Sequence, residues 1–440
     1  MQFRTSTSKS ENGAMVFFVM VTICLVLGVI AAGYMLLIAS QHRLVSQSMN
    51  WNTALALAEA GVEEGMAQVN INFGTNFGGS ATTNWSYNST NQCYGPVTRT
   101  FTNGSYSAII KLNGAGSAPS IISTGYARAL YNLPTARRIV CVDIANYSPW
   151  IGAMNTRLGT TTKGSGMMID SFDSTDPAHS TGGMYDPLTH LAGGDIASIG
   201  GSVDLQNCQV YGKLRLGVNS TWSINNGWVG DLTWSTVGQI QPGWLETDFN
   251  SLWKDVLPPF TGAGAPPSPG GSSTNAYVLG SANYQLSTLT INNGDAVLVN
   301  GNASLWVTGT INFKNAANTY IIILPGCSLK LYCGVSAAGS TNTTATLGVV
   351  TTAGGASTFQ YYGLPSNGNL TWTGNASYVG TIYAPNATFS MGGGGSTFND
   401  FQGAVTVKYV DMNGHFNFHY DQALSRISGS GYSVAAWKEL

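Results

Sequence analysis

The fold is decided by the stretch STLTINNGDAVLVNGNASLWVTGTINFKN, residues 287–315. Short runs of Leu, Ile, Val and Trp are separated there by Asn and Gly, which predicts brief β-strands joined by tight turns. Each such unit can bury its inward apolar side chains only against the next unit. We therefore expect a right-handed parallel β-helix-like domain over residues 149–428, with a β-sandwich as the alternative. Comparable units recur at residues 194–217, 318–334, 345–354, 376–393 and 401–418.

An interruption separates two groups of these units. Residues 243–260, GWLETDFNSLWKDVLPPF, carry an apolar stripe at helical spacing, which predicts a short amphipathic helix. The stretch that follows is rich in Pro, Gly and Ser and cannot build a core, so we expect an exposed loop over residues 258–276. The stripe consists of Leu245, Phe249, Leu252, Trp253 and Val256.

The N-terminal part of the chain predicts one long helix. Residues 14–40 contain no charge, and these 27 residues exceed the about 20 that a membrane-spanning helix needs. Residues 41–70 continue without proline and are amphipathic, so we expect a transmembrane helix that continues into a helix packed on a globular domain. The packed stripe is Leu55, Ala58, Val62, Met66 and Val69.

The segment AEAGVEEGMAQ, residues 58–68, resembles the amphipathic stretch of PilX-like minor pilins and related pseudopilins. The junction between Gly13 and Ala14 resembles the site that prepilin peptidase cleaves. The resemblance implies a cleaved leader at residues 1–13, a pilin-like stalk, and a single-pass protein of the inner membrane. Its body would lie outside the cytoplasm, at the cell surface or in a pilus. The implied partners are prepilin peptidase and the subunits of a type IV pilus or pseudopilus.

One position departs from this family. Most major pilins have a glutamate five residues into the mature chain, where this sequence has Phe18. Some minor subunits at a filament tip also lack it, so the departure favours a minor or tip-like subunit. A signal-anchored envelope protein outside any filament is the alternative. Residues 379–424 also resemble the end of β-helical surface domains found behind PilX-like N termini in bacteria, a family without an assigned function.

Two smaller segments complete the predicted organisation. Residues 71–148 contain alternating runs separated by Gly, Pro and Asn, which predicts a small α+β head of three or four strands beside the helix. Residues 429–440 are interpreted as a tail. In an oxidising compartment, Cys93 and Cys141 are the pair expected to form a disulfide.

The composition limits the classes of function. Only 9% of the 440 residues are charged and the formal net charge is −2, so the chain has no electrostatic footprint for nucleic acid. The 55 glycines, with abundant Asn, Thr and Ser, are typical of an exported β-rich structural protein.

Four aspartates lie close together in MMIDSFDSTDPAHSTGGMYDP, residues 167–187. Oxygen ligands on a loop suit calcium, so one prediction is a calcium site, and no other cofactor is predicted. The spacing matches neither an EF-hand nor a nonapeptide repeat, and the alternative is that these aspartates cap turns. The four residues are Asp170, Asp173, Asp176 and Asp186.

No set of residues has a catalytic spacing that we recognise. His415 and His419 alternate along a predicted strand, so we interpret them as turn or surface residues and not as zinc ligands. Lys213 and Arg215 could serve polysaccharide cleavage, but nothing in the sequence pairs them with the aspartates. We therefore expect no catalysis. A membrane-anchored β-helix enzyme acting on polysaccharide is the competing prediction.

Tryptophans are the remaining candidate ligand-binding residues. Exposed Trp side chains can stack on sugar rings, whereas buried ones fill the ends of a solenoid core. The sequence thus predicts a structural or adhesive minor pilin-like surface protein, with surface polysaccharide as a candidate ligand. The tryptophans considered are Trp222, Trp228, Trp234, Trp244, Trp253, Trp306 and Trp372.

Overall fold

The structure is a computed structural model, and it describes the chain in eleven ranges. The chain divides into two compact units, one formed by Met1–Tyr147 with Gly429–Leu440 and the other by Ser148–Ser428. The second unit is therefore inserted in the sequence of the first. The described ranges are residues 9–71, 85–113, 119–128, 135–251, 253–269, 274–336, 343–352, 354–373, 377–393, 398–427 and 431–440.

The first unit contains one long helix, α1, from Lys9 to Ile71. Its segment Met15–Asn70 is long and apolar enough to cross a membrane, since its most apolar 18-residue window has a mean hydropathy of 2.9 and is 0% buried. The predicted junction at residues 13 and 14 falls inside α1, whereas residues 1–8 of the predicted leader lie outside the described residues.

The C-terminal half of α1 packs on an antiparallel sheet. The strands, numbered along the chain, follow the order β1-β2-β3-β4-β5-β31. The predicted tail, residues 429–440, contains strand β31 (Gly431–Glu439), which pairs with β5 and covers an edge that would otherwise leave N–H and C=O groups unpaired. The strands are β1 Tyr87–Asn88, β2 Cys93–Phe101, β3 Gly104–Lys111, β4 Ser120–Ala127, β5 Ala136–Tyr147 and β31 Gly431–Glu439.

The helix approaches this sheet closely on one stripe. A Cβ atom on Gly125 of β4 would lie 2.0 Å from the carbonyl oxygen of Ala54, so glycine is required where the two backbones meet. An ion pair of 2.7 Å between Glu64 and Arg99 joins the helix to β2. The buried helix side chains recur at helical spacing and are Ala54, Leu57, Ala58, Val62 and Val69.

The predicted disulfide is wrong. Cys93 and Cys141 are free thiols that belong to β2 and β5. Because β3 and β4 lie between these strands, the two residues are three strand spacings apart, about 14 Å. A disulfide needs Cα atoms within about 7 Å.

The second unit is built from parallel strands. Short 3₁₀ helices also occur, at Ala316–Asn318, Ala356–Thr358 and Gln422–Arg426. The strands are β6 Met154–Thr156, β7 Gly159–Thr162, β8 Ser165–Phe172, β9 Ile196–Ser198, β10 Ser202–Asp204, β11 Asn207–Tyr211, β12 Leu214–Leu216, β13 Thr221–Ser223, β14 Trp228–Gly230, β15 Leu245–Glu246, β16 Asn275–Leu279, β17 Asn283–Leu286, β18 Leu289–Ile291, β19 Ala296–Val299, β20 Asn302–Val307, β21 Ile311–Phe313, β22 Tyr320–Ile323, β23 Ser328–Cys333, β24 Thr343–Leu347, β25 Val349–Thr352, β26 Phe359–Gly363, β27 Asn367–Thr373, β28 Tyr378–Gly393, β29 Asn399–Gly414 and β30 Phe416–Asp421.

Within each of the two groups β6–β15 and β16–β25, the short strands pair with the strand three positions away in the sequence, which makes three strands per coil. Thus β16 pairs with β19, β19 with β22 and β22 with β25. The long strands β28 and β29 bend through all three faces of the stack. This arrangement confirms the predicted mainly β fold with a parallel β-helix and excludes the β-sandwich.

The coils do not stack in simple sequence order. β29 pairs with β6 and β7, and β30 pairs with β8, so the C-terminal half of the unit ends against its N-terminal half. The two ends of the unit meet in the middle of the stack, where Ser148 Oγ donates to the carbonyl oxygen of Leu424 at 2.8 Å. On the first face, the order is β16-β19-β22-β25-β28-β29-β30-β8-β11-β14.

The connection from β15 to β16 must therefore return along the outside of the whole stack. On the second face nine strand spacings separate β15 from β17, about 43 Å. We call its described residues 247–251 and 253–269 the strap. At the far end of the strap, the carbonyl oxygens of Pro267 and Gly264 accept hydrogen bonds from the N–H groups of Val278 in β16 and Gln285 in β17. The strap thus covers the edge of the coil that contains β16 and β17.

The predicted amphipathic helix is wrong, because the described strap residues are extended or irregular. In a helix, the carbonyl oxygen of Lys254 would need an N–H from residue 258, which is a proline. That carbonyl instead accepts a hydrogen bond of 2.7 Å from Tyr383 Oη, and the carbonyl of Trp253 accepts one from Arg157. Of the apolar stripe, Trp253 and Val256 are buried, at 2% and 8% exposure, whereas Leu252 lies outside the described residues.

Candidate functional site

A row of polar side chains crosses the first face of the β-helix. On β30, the aromatic residues 416, 418 and 420 alternate with Asn417, His419 and Asp421. Gln402, His419 and Asp170 are register partners on β29, β30 and β8. Phe418 belongs to the inward stack on Phe401, so the row lies on the outward side. Both His419 and Asp170 are nevertheless buried, with exposures of 1% and 0%.

The segment between β8 and β9, residues 173–195, buries this row, and we call it the covering loop. Its Tyr185 ring stacks on the His419 ring at 3.5 Å and 16°. The Tyr185 hydroxyl donates to Asp170 Oδ2 at 2.7 Å, and its backbone N–H donates to Gln402 Oε1 at 3.2 Å. One tyrosine therefore holds the loop on three neighbouring coils.

His419 lies between two carboxylates. Its Nδ1 is 2.5 Å from Asp170 Oδ1, and its Nε2 is 3.3 Å from Asp400 Oδ1, close enough for an ion pair but not aligned for a hydrogen bond. Burial lowers the pKa of His419, but the two carboxylates outweigh it and the net pKa is raised. Burial raises the pKa of Asp400, and contact with His419 brings it below its usual value. The arrangement favours an imidazolium between two carboxylates.

This geometry favours a structural role, in which the group holds the covering loop on the β-helix, over a catalytic role. The Tyr185 ring covers one face of the imidazole, and both ring nitrogens face carboxylates. A substrate therefore has no open position beside the histidine. The interpretation of His419 as a surface residue is wrong, because alternation places it outward but does not reveal the loop that covers it.

The four aspartates of the predicted calcium site do not converge. Asp173 pairs with Arg426 at 2.7 Å, whereas Asp176 and Asp186 each accept a backbone N–H two residues on, at 2.9 Å. Asp170 is committed to His419 and Tyr185. Among the described residues, no group of three or more His, Cys, Asp or Glu could hold a metal ion. The turn-capping alternative fits this geometry.

The two basic residues at the start of β12, Lys213 just before the strand and Arg215 within it, are both in ion pairs with acids. Arg215 is 2.8 Å from Asp195 on the preceding coil, and Lys213 is 2.8 Å from Glu246 on the following one. Burial raises the pKa of Asp195, against the opposing effect of Arg215. The ion pairs connect side chains of three neighbouring coils, and both cations, Lys213 and Arg215, already have carboxylate partners that a sugar carboxylate would have to replace.

The aromatic side chains divide into a covered row and a few exposed ones. On the second face, register places Trp306, Tyr332, Tyr362 and Tyr383 in one line, and the rings of Tyr332 and Tyr362 stack at 4.9 Å. The strap lies on this line, where Phe260 packs edge to face on Trp306 at 5.7 Å. Of the predicted tryptophans, Trp253, Trp306 and Trp372 are buried, whereas Trp222 is 42% exposed.

A cavity of about 300 Å³ lies at the C-terminal ends of first-face strands, beside the polar row. Asp421, at the end of β30, is 1% exposed and lines it. Opposite walls come from the covering loop and from the turn before β26. The other lining residues that bear on its chemistry are Ser174, Gly183, Gly355, Ser357, Leu424 and Ile427.

Sequence reasoning did not place His419, Asp400 and Tyr185 together, although the outward position of His419 was readable from its alternation with aromatic residues. The sequence signal for this site was a histidine, one of only 5 in the chain, that alternates with the polar residues Asn417 and Asp421 on the outward side of one strand. The partners lie on other coils and are not specified by local spacing.

Part of the second unit is similar to a known family model. Residues 270–427 match the family model "Domain of unknown function (DUF7305)". No curated protein gives a significant match. Among solved structures, the competence-associated pilin ComZ from Thermus thermophilus aligns over 89% of this chain and 97% of its own, with 12% identity and a TM-score of 0.20.

Proposed function

We propose that this chain is a PilX-like minor subunit of a type IV pilus or pseudopilus, with a structural or adhesive role and no catalysis. The observation that carries the proposal is the division of α1 into two halves. Large apolar side chains are exposed along Met15–Ile38, whereas the stripe Ala54–Val69 is buried on the sheet. An apolar surface of that size requires lipid or neighbouring apolar helices to cover it.

The residues around the start of the apolar segment fit this role. Cleavage between Gly13 and Ala14 would remove Lys9 and Glu11, and would leave a mature chain that begins with an uncharged helix. Phe18, where major pilins have glutamate, is 75% exposed and offers no carboxylate to a neighbouring subunit. This supports a minor or tip-like position in the inner-membrane assembly over a bulk filament position.

The β-helix is the unit proposed to face the cell surface. Tyr147 and Gly431 lie opposite each other on β5 and β31, so the insertion leaves and re-enters the first unit at one place. This connection leaves the packing of α1 on its sheet intact. Of the tryptophans considered as sugar contacts, Trp222 is 42% exposed, and it is proposed to contact surface polysaccharide.

The absence of catalysis is part of the proposal. The histidine with two carboxylate neighbours is closed by Tyr185, and Lys213 and Arg215 are paired with acids. The competing function is a membrane-anchored enzyme that cleaves polysaccharide.

Two experiments on the full-length protein separate the candidates. The first is immunogold labelling of cells that carry an epitope-tagged chain. Label on filaments or at their bases supports the minor-pilin proposal, whereas uniform envelope label favours the signal-anchored structural alternative. The second is incubation of detergent-solubilised protein with surface polysaccharides. Release of new reducing ends or unsaturated sugars would overturn the non-enzymatic assignment.

A variant separates adhesion from a purely structural role. Trp222→Ala removes the exposed ring, and Val218→Ala on the preceding turn, 84% exposed, is the matched control. We expect polysaccharide retention to fall for the first variant and to remain unchanged for the second. Equal retention by both variants and the unaltered protein would exclude Trp222 as the contact.

A further inference from the structure

The cavity beside the polar row contains a buried carboxylate without a dedicated cation. Asp421 accepts hydrogen bonds from the backbone N–H groups of Ser174 and Ala423, at 3.0 and 3.1 Å. Both of these backbone hydrogen bonds end on the same carboxylate oxygen, Oδ1. The Ser174 side chain is a further hydrogen-bond partner that lowers the pKa of Asp421. No Lys, Arg or His of the described residues forms an ion pair with Asp421, so the charge of this carboxylate is open to a cation in the cavity.

The nearest arginine is already committed. Arg426 binds both carboxylate oxygens of Asp173 at 2.7 Å and also donates to Thr175. One arginine thus faces two aspartates, and this side of the site has a net charge of −1. A carboxylate in such surroundings is costly unless a cation reaches it. Burial accordingly raises the pKa of Asp421.

The walls of the cavity have two chemical characters. Ser174 and Ser357 place hydroxyl-bearing residues near Asp421, and Gly183 and Gly355 place backbone without side chains on two separate loops. Leu424 and Ile427 form an apolar wall. Oxygen acceptors on one side and aliphatic groups on the other match a primary ammonium that carries a short hydrocarbon chain.

We infer that this cavity binds a primary alkylammonium group, with the ammonium against Asp421 and the methylene groups against Leu424 and Ile427. The same chemistry is present in a free amine and in a lysine side chain of another protein. A bound metal ion is disfavoured, since Asp421 is the sole acidic side chain among the described lining residues and about 300 Å³ exceeds what one ion fills. The inference is independent of whether the chain enters a filament.

The test uses the full-length protein in nonionic detergent and saturation-transfer NMR. The probe is n-propylammonium, and the neutral comparator of the same length is 1-propanol. We expect saturable propylammonium binding with a Kd on the order of millimolar, as a ligand of this size allows, and at least tenfold weaker binding of propanol. Nα-acetyl-lysine amide distinguishes the sources: its binding identifies a lysine side chain, and binding of propylammonium alone identifies a free amine.

Asp421→Asn is the decisive variant, because asparagine also caps a helix and can accept both backbone N–H groups. It should weaken propylammonium binding at least tenfold, and Asp411→Asn, at an ion pair with Lys163 elsewhere on the unit, should leave binding unchanged. If Asp421→Asn does not fold, Ser357→Leu blocks the cavity from its wall and should also abolish binding. Binding of propanol as tight as that of propylammonium, no saturable binding, or unchanged binding in the cavity variants would overturn the inference.

Discussion

Oδ1 of Asp170 lies 2.5 Å from Nδ1 of His419, although 249 positions separate the two residues in the sequence. The contact crosses from β8 to β30, and these strands come from the two halves of the β-helix. Asp400 on the other side of the ring and Tyr185 on its face complete the group. The joint between the halves of the solenoid is therefore held by a buried ion pair.

This ion pair predicts a pH dependence of stability. The folded pKa of His419 is raised above the unfolded value of 6.5, so its contribution is full below about pH 6.5 and is lost as the pH rises through the folded pKa. The lowered pKa of Asp400 and the raised pKa of Tyr185 place their titrations outside this window. His419→Gln should lower the free energy of unfolding at pH 6 by roughly 3 kcal/mol.

The measurement is denaturant unfolding between pH 6 and pH 9 for the wild-type chain and the variant. The difference between them should shrink as the pH rises. His415→Gln, which removes a histidine outside the ion pair, should follow the wild-type curve. A pH-independent difference for His419→Gln would contradict an ionised His419.

The covering loop should depend on one hydroxyl group. Tyr185→Phe keeps the ring stack but removes the hydrogen bond to Asp170 Oδ2, which leaves a buried carboxylate oxygen without this donor. We expect a loss of about 1–3 kcal/mol and faster amide hydrogen exchange in residues 173–195. Exchange in β16–β21, at a distant part of the stack, is the internal control, and equal acceleration in both regions would refute a local role.

The strap should be released by loss of its buried anchor. Trp253→Ala removes a side chain that is 2% exposed, at a cost of roughly 3–5 kcal/mol. The side chain of Lys254 is already exposed, but its backbone is held by Tyr383, and release of the strap should let trypsin cleave there. Leu257→Ala, at a side chain 75% exposed on the same strap, is the matched control. Limited proteolysis followed by mass spectrometry measures cleavage after Lys254. Equal cleavage rates in the two variants would show that Trp253 does not anchor the strap.

The approach of α1 to its sheet should tolerate no side chain at Gly125. Gly125→Ala places a methyl group 2.0 Å from the Ala54 carbonyl oxygen, and we expect a loss of about 1–3 kcal/mol or separation of helix and sheet. Thr124→Ala, on the opposite face of β4, should cost less than about 1 kcal/mol. Hydrogen exchange in residues 119–128 reports the effect, and similar protection in both variants would argue against this close approach.

The parallel β-helix was predictable because its signal is local: each short strand has its own apolar alternation and its own Asn or Gly turn. The stacking order was not predictable, since pairing of β29 with β6 joins residues about 250 positions apart. The strap shows a further limit. Its apolar spacing fits a helix, and only Pro258 and the buried aromatic row beneath it favour the extended form.

The polar row illustrates the same limit at the candidate site. Alternation on β30 correctly places His419 outward, but burial depends on a loop that belongs to a different coil. The aspartates near that loop were adjacent in sequence and diverged in space, because short-range turn capping used Asp176 and Asp186 locally.

N-terminal sequencing of the protein recovered from the membranes of its own host is the most direct test of the proposed minor-pilin role. Processing by prepilin peptidase predicts a mature chain that begins at Ala14, and a Gly13→Leu variant that remains uncut. Gly28→Ala, within the same helix and with no atom within 4 Å of the added methyl group, should be processed normally. An intact Met1, or a chain that begins near Gln41, would contradict the proposal.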